Sequence, residues 1–149
     1  MALGCGLLGV VVIGCGSSAD TIAKADKLCK ASQEEQLNLL DGSSSNSRNP
    51  KVLKQYLGSS FEQTKELNDQ LRSLAPPTDL EKEWKVWMAS LDNQEKAEKV
   101  LIATVKPGMT SDADSPYLSA LNEAISQQVK RNKLATDLGL ETCGQNASI

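Results

Sequence analysis

Gln94 and Glu98, four residues apart on one helical stretch, and Gln128 and Asn132, four apart on another, are the side chains best spaced to do chemistry together. Residues four apart share one face of a helix. Two such pairs facing each other would put a carboxylate among amides inside a helical domain, as a buried polar network or a small ligand site. A plainer alternative has the apolar seam rotate at this level, so that Leu91, Val100, Leu101 and Ile102 carry the core and Glu98 is solvated. From the sequence alone the plainer reading is preferred.

Composition narrows the remaining chemistry. The chain has 149 residues and no histidine. Ser-His-Asp and Cys-His nucleophile sets therefore lack their base, and a di-metal carboxylate bundle lacks its Glu-x-x-His ligands. No CxxC or Cys/His cluster occurs among the four cysteines, so zinc, c-type haem and thioredoxin-like sites are unsupported. Neither a metal nor a cofactor is expected. A net charge of −3 argues against a nucleic-acid surface, which needs a basic stripe. Trp84, Trp87 and Met88 could line a groove for an apolar partner, since Trp is common at interface hot spots. In a chain with two Trp, two Tyr and one Phe, they serve more simply as core filler.

Four amphipathic stretches must position these residues. The first helix is expected over about Ala19 to Leu40, with Ile22, Ala25, Cys29, Ser32, Gln36 and Leu39 on one stripe. Asp41-Gly42 ends it, and a polar Ser/Asn loop follows. Asn49-Pro50 is a helix start, a capping side chain followed by a proline at the first helical position. The second helix has the clearest periodicity, with Leu53, Leu57, Ser60, Thr64, Leu67, Leu71 and Leu74 spaced alternately by four and three and Tyr56 and Phe61 widening the seam. Pro76-Pro77 stops it, and Thr78 with Glu81 suggests a capping box for the third. There Leu80, Trp84, Trp87, Leu91, Gln94, Glu98, Leu101 and Val105 form the seam until Lys106-Pro107-Gly108. Ser115-Pro116 opens the fourth helix, which presents Leu118, Leu121, Ile125, Gln128, Asn132 and Ala135. Gly139 is placed to close it in the left-handed conformation, with Leu140 folding back onto the last turn. Four helices joined by short connections predict an all-α, up-down-up-down four-helix bundle.

The N-terminal segment carries a different kind of chemistry. Val12-Ile13-Gly14-Cys15 closes an uncharged apolar run and resembles the lipobox of bacterial lipoproteins. The run is too short to cross a bilayer as a helix and has the length of a signal-peptide core, although no Lys or Arg precedes Cys15. The resemblance implies a signal peptide over 1–14, diacylglycerol on the Cys15 thiol and an acylated tether over 15–18. The bundle would then span 19–144, with a flexible terminus over 145–149. On that reading Cys5 leaves with the signal, Cys15 is acylated, and Cys29 and Cys143 remain as a disulfide pair. An up-down-up-down topology returns the end of the fourth helix to the start of the first, where the two could meet.

Ala25-Asp26-Lys27-Leu28-Cys29, Leu74-Ala75-Pro76-Pro77 ahead of Trp84 and Trp87, and the terminal Ala135-Thr136-Asp137-Leu138-Gly139-Leu140-Glu141-Thr142-Cys143-Gly144 resemble the pattern of small actinobacterial lipoproteins. That resemblance implies a lipid-anchored helical domain on the extracytoplasmic face of the cell membrane, with no activity attached. The expected role is a non-catalytic module that binds an envelope protein or a small ligand. A structural spacer, and then an uncharacterised envelope enzyme, are the alternatives.

Overall fold

The computed structural model describes residues 18–42, 49–108, 112 and 114–145. The signal peptide expected over 1–14, the lipidation site Cys15 and residues 146–149 lie outside these. Four helices make up the fold: α1 (Ser18–Gly42), α2 (Pro50–Arg72), α3 (Glu81–Thr104) and α4 (Pro116–Asp137). Consecutive helices pack against one another, α1 on α2, α2 on α3 and α3 on α4, as an up-down-up-down bundle requires. The expected tether overlaps the bundle by one residue, because α1 already begins at Ser18.

The helix boundaries follow from local chemistry. Asn49 caps α2 by accepting from the Lys51 amide at 3.0 Å, and Ser115 caps α4 by accepting from the Leu118 amide at 3.1 Å; each precedes a proline at the helix start. Side-chain oxygens here satisfy donors that the first turn leaves unpaired. At the other end of α4, Gly139 has φ +82°. The Leu140 amide donates to Ala135 O and the Gly139 amide to Thr136 O, both at 2.9 Å, which is the Schellman closure. Leu140 is thereby turned into the core with no exposed surface.

The capping box expected at Thr78 and Glu81 does not form. α3 starts after Leu80, with no side-chain cap. The Leu80 amide donates to Pro77 O at 3.1 Å, so Thr78-Asp79 is spent in a turn, and the Ser18 hydroxyl donates to the Asp79 carboxylate.

Packing rotates two of the expected stripes. On α2 the buried set is Leu57, Phe61, Thr64, Asn68 and Leu71, while Leu53, Ser60 and Leu67 are half-buried. On α4 the buried set is Ala120, Ala124, Asn132 and Ala135; Leu118 and Leu121 are half-buried, and Ile125 is exposed. The alanine face meets Ala97 of α3. Small side chains let two helix backbones approach closely, and the leucines then flank the contact.

Past α4 the chain makes one more turn that binds it to α1. Cys29 and Cys143 are disulfide-bonded, with Cα atoms 5.2 Å apart. The Asp26 carboxylate accepts from the amides of Glu141 (3.1 Å), Thr142 (2.9 Å) and Cys143 (3.3 Å), and the Gln33 side-chain amide donates to Thr142 O at 3.0 Å. The turn extends to Gln145, whose amide donates to Thr142 O at 3.1 Å, one residue into the tail expected to be flexible. A Cβ at Gly144 would collide with the Thr136 hydroxyl and crowd two carbonyl oxygens, Leu140 O at 3.1 Å and Asn132 O at 3.2 Å. Gly144→Ala is therefore expected to destabilise the protein by about 1–2 kcal/mol, as overpacking does. Urea denaturation checks this, and an unchanged midpoint would show that the turn relaxes freely.

Candidate functional site: a polar layer between two cores

The apolar interior is divided. One cluster joins Ala25 and Cys29 of α1, Leu71 of α2, Trp84, Trp87 and Leu91 of α3, Ala135 of α4, and Leu138, Leu140 and Cys143 of the closing turn. The other lies towards the opposite end, with Leu57 of α2, Ala97 and Leu101 of α3, Val105 just past its end, and Ala120 and Ala124 of α4. Between the two, each of α2, α3 and α4 contributes polar side chains: Thr64 and Asn68; Gln94 and Glu98; Gln128, Arg131 and Asn132.

A cavity of about 80 Å³ sits in this layer and is lined by all four helices. α2 and α3 supply Leu57, Phe61, Leu101 and Ile102 along with Gln94 and Glu98. α1 supplies Ser32, Gln33 and Gln36, α4 supplies Gln128 and Arg131, and the disulfide sits at the margin. Among the described residues α1 and α4 have no close backbone contact, so the Cys143 turn is what ties α1 to the end of α4.

Gln94 is 3% exposed. Its side-chain amide donates to Glu98 Oε1 at 2.7 Å. Gln94 Oε1 and Glu98 Oε2 are buried with no hydrogen-bond partner among the described residues. A buried polar atom left unpaired costs about 1–3 kcal/mol, which marks these two acceptors as functional candidates. Burial pushes the Glu98 carboxyl up to about 7, against the donation from Gln94 and the charge of Arg131, while the nearby Glu95 carboxylate adds to the rise. Burial likewise lowers the Arg131 guanidinium, which the Glu98 carboxylate partly offsets. The two charges feel each other across the layer, yet no ion pair within 4.0 Å joins them among the described residues. Arg131 instead donates from Nε (3.0 Å) and Nη2 (2.7 Å) to Asn132 Oδ1.

The structure thus overturns the plainer reading of the seam. Leu91 and Leu101 are core, but Val100 is 56% exposed, Ile102 is half-buried, and Glu98 is half-buried with its Oε2 covered. The reason is azimuthal: Gln94 and Glu98 follow Leu91 by three and seven residues, so they stay on its face of α3. Of the four residues singled out by spacing, Gln94, Glu98 and Gln128 line the cavity, and Asn132 supports Arg131 from beside it. Arg131 was missed, although it falls four residues before Ala135 and seven after Ala124, on the buried face of α4. Asn68 was also missed. It has no exposed surface, and its amide donates at 2.9 Å to Glu95 Oε1, which also receives Arg72 Nη2 at 2.7 Å.

Trp84 and Trp87, weighed as a partner surface, are 3% and 1% exposed and sit in the core. Their rings pack edge to face with centroids 5.0 Å apart, and Met88 is half-buried against the same cluster. Large rings fill the space that the small residues Ala25, Cys29 and Ala135 leave beside them. Among the described residues no group of three His, Cys, Asp or Glu could hold a metal, and no helix is long and apolar enough to cross a membrane. No family model matches this sequence, and no curated protein or solved structure is detectably similar to it, so any functional reading rests on the chain itself.

Proposed function

We propose that this protein is a non-catalytic binding module, held by lipid on Cys15 at the extracytoplasmic face of the cell membrane, that takes a small polar ligand into the layer between its two cores. One observation carries the binding reading: Gln94 Oε1 and Glu98 Oε2 are buried and unpartnered among the described residues, on two side chains that line the cavity. A spacer gains nothing from such a layer, since apolar residues of similar volume would be at least as stable. The anchor rests on the lipobox-like Val12-Ile13-Gly14-Cys15, and the small-lipoprotein resemblance agrees with it. Two residues, Gly16 and Ser17, link Cys15 to Ser18, and the three steps span at most about 10 Å, so the anchor would hold the disulfide end of the bundle close to the bilayer.

Two experiments test the reading. Full-length protein expressed in a bacterial host is expected to label with a fatty-acid probe and to partition into detergent, and Cys15→Ser to do neither; unlabelled wild type would refute the anchor. For binding, wild type is screened by thermal shift against amino acids, amines, carboxylic acids and polyols at millimolar concentration. At ten times Kd a ligand adds about 1.4 kcal/mol, enough to raise Tm measurably. At least one class is expected to do so for wild type and not for Gln94→Leu. A panel without effect would favour the spacer.

A further inference from the structure

The polar layer holds one acid and one base, both half-buried and neither satisfied by the other. Glu98 Oε2 and Gln94 Oε1 are adjacent acceptors that lack donors among the described residues. Arg131 lines the same cavity from α4; Asn132 takes two of its donors on one side, and a guanidinium carries five. The acid and the base lie more than 4.0 Å apart, beyond direct ion pairing.

These facts discriminate between ligand classes. A simple cation would be drawn to Glu98 and repelled by Arg131. A simple anion would meet the reverse. A neutral polyol could supply donors to Gln94 but would leave Glu98 and Arg131 answered only by each other across the layer, beyond ion-pair distance. A molecule carrying both charges a few ångströms apart answers both at once. Size restricts it further. A cavity of about 80 Å³ favours a compact molecule. Leu101 and Ile102 give one side of the cavity an apolar wall that accepts a methyl.

Resting on the binding reading above, we infer that the cavity takes a small zwitterionic amino acid of the size of glycine or alanine. Its ammonium donates to Glu98 Oε2 and Gln94 Oε1, and its carboxylate accepts from Arg131. Larger amino acids fit such a space less well, and molecules bearing only one of the two charges leave the opposite partner unanswered.

The test uses full-length wild-type protein in detergent and isothermal titration calorimetry. The probes are glycine and alanine, set against glycinamide and ethylamine (no carboxylate), N-acetylglycine and propionate (no ammonium), glycerol, and phenylalanine. Glycine or alanine is expected to bind at least tenfold more tightly than every analogue, and phenylalanine not to bind. Glu98→Gln, with its helicity verified by circular dichroism, is expected to weaken the amino acid at least tenfold while leaving propionate unchanged. The wild-type series does not depend on any variant folding. If glycinamide, N-acetylglycine or glycerol binds as tightly as glycine, the zwitterion inference is overturned while the binding reading stands. If none of the probes binds, both fall.

Discussion

Replacing Cys29 and Cys143 by serine, or reducing the bond between them, is expected to destabilise the protein by about 2–5 kcal/mol, the usual cost of removing a native disulfide from a small domain. The two cysteines are 114 residues apart, so the bond closes nearly the whole described chain into a loop. In the chain-entropy model such a loop sits at the upper end of that range. A shift of roughly 10 °C or more in Tm follows for a domain of this size, and scans with and without reductant measure it. The bond also holds the turn that Asp26 caps. Asp26→Ala removes one carboxylate that accepts from three backbone amides, and hydrogen bonds to a charged group contribute about 1.5–3 kcal/mol. Because the disulfide and Asp26 restrain the same turn, their effects should not add. A double-mutant cycle is expected to show coupling. If reduction leaves Tm unchanged, the turn is held well enough by Asp26, Gln33 and Leu140 without the bond.

Stability should also fall as pH rises through the Glu98 titration. Burial raises this carboxyl from 4.5 to about 7. Below pH about 4.5 both folded and unfolded chains carry the proton, and the site costs nothing. Between there and about 7 the folded protein keeps a proton that the unfolded chain has released, so each step up in pH favours unfolding. Above about 7 the full penalty is present, on the order of 3 kcal/mol at about 1.4 kcal/mol per unit. Glu98→Gln keeps a neutral hydrogen-bonding side chain that never ionises. The variant is expected to match wild type near pH 4 and to exceed it at pH 8 by up to about 3 kcal/mol. Arg131 stays charged throughout, so it does not add a slope of its own. Urea denaturation of both proteins across that range measures the difference, and parallel curves would mean that water reaches the carboxylate.

These expectations differ in how far the sequence could have supplied them. Asn49-Pro50, Ser115-Pro116 and Gly139-Leu140 were legible because a cap is a contract between residues a few positions apart. Thr78 and Glu81 have the same local grammar, yet the turn at Pro77 and the pull of Ser18 on Asp79 take those residues elsewhere. On α4 the leucines suggested one face and packing chose the alanines next to it. That choice depends on how closely α3 can approach, a property of two helices together. Arg131 and Asn68 read as surface residues by type, and only the arrangement of three helices puts them inside. Asp26 had no local signal at all, since its acceptors serve amides 115 to 117 residues away.

By itself, then, the sequence determined the four helices, their order, most of their ends and the pairing of the two cysteines within the bundle. Those features arise from periodicity, capping and chain length, which act over a few residues or through topology with few alternatives. The tertiary structure alone decided which way each helix faces, that the core is split in two, and that Glu98 and Arg131 meet a cavity without meeting each other. Burial of a charge is settled by every neighbour at once, and no spacing along one helix records where the other three will stand.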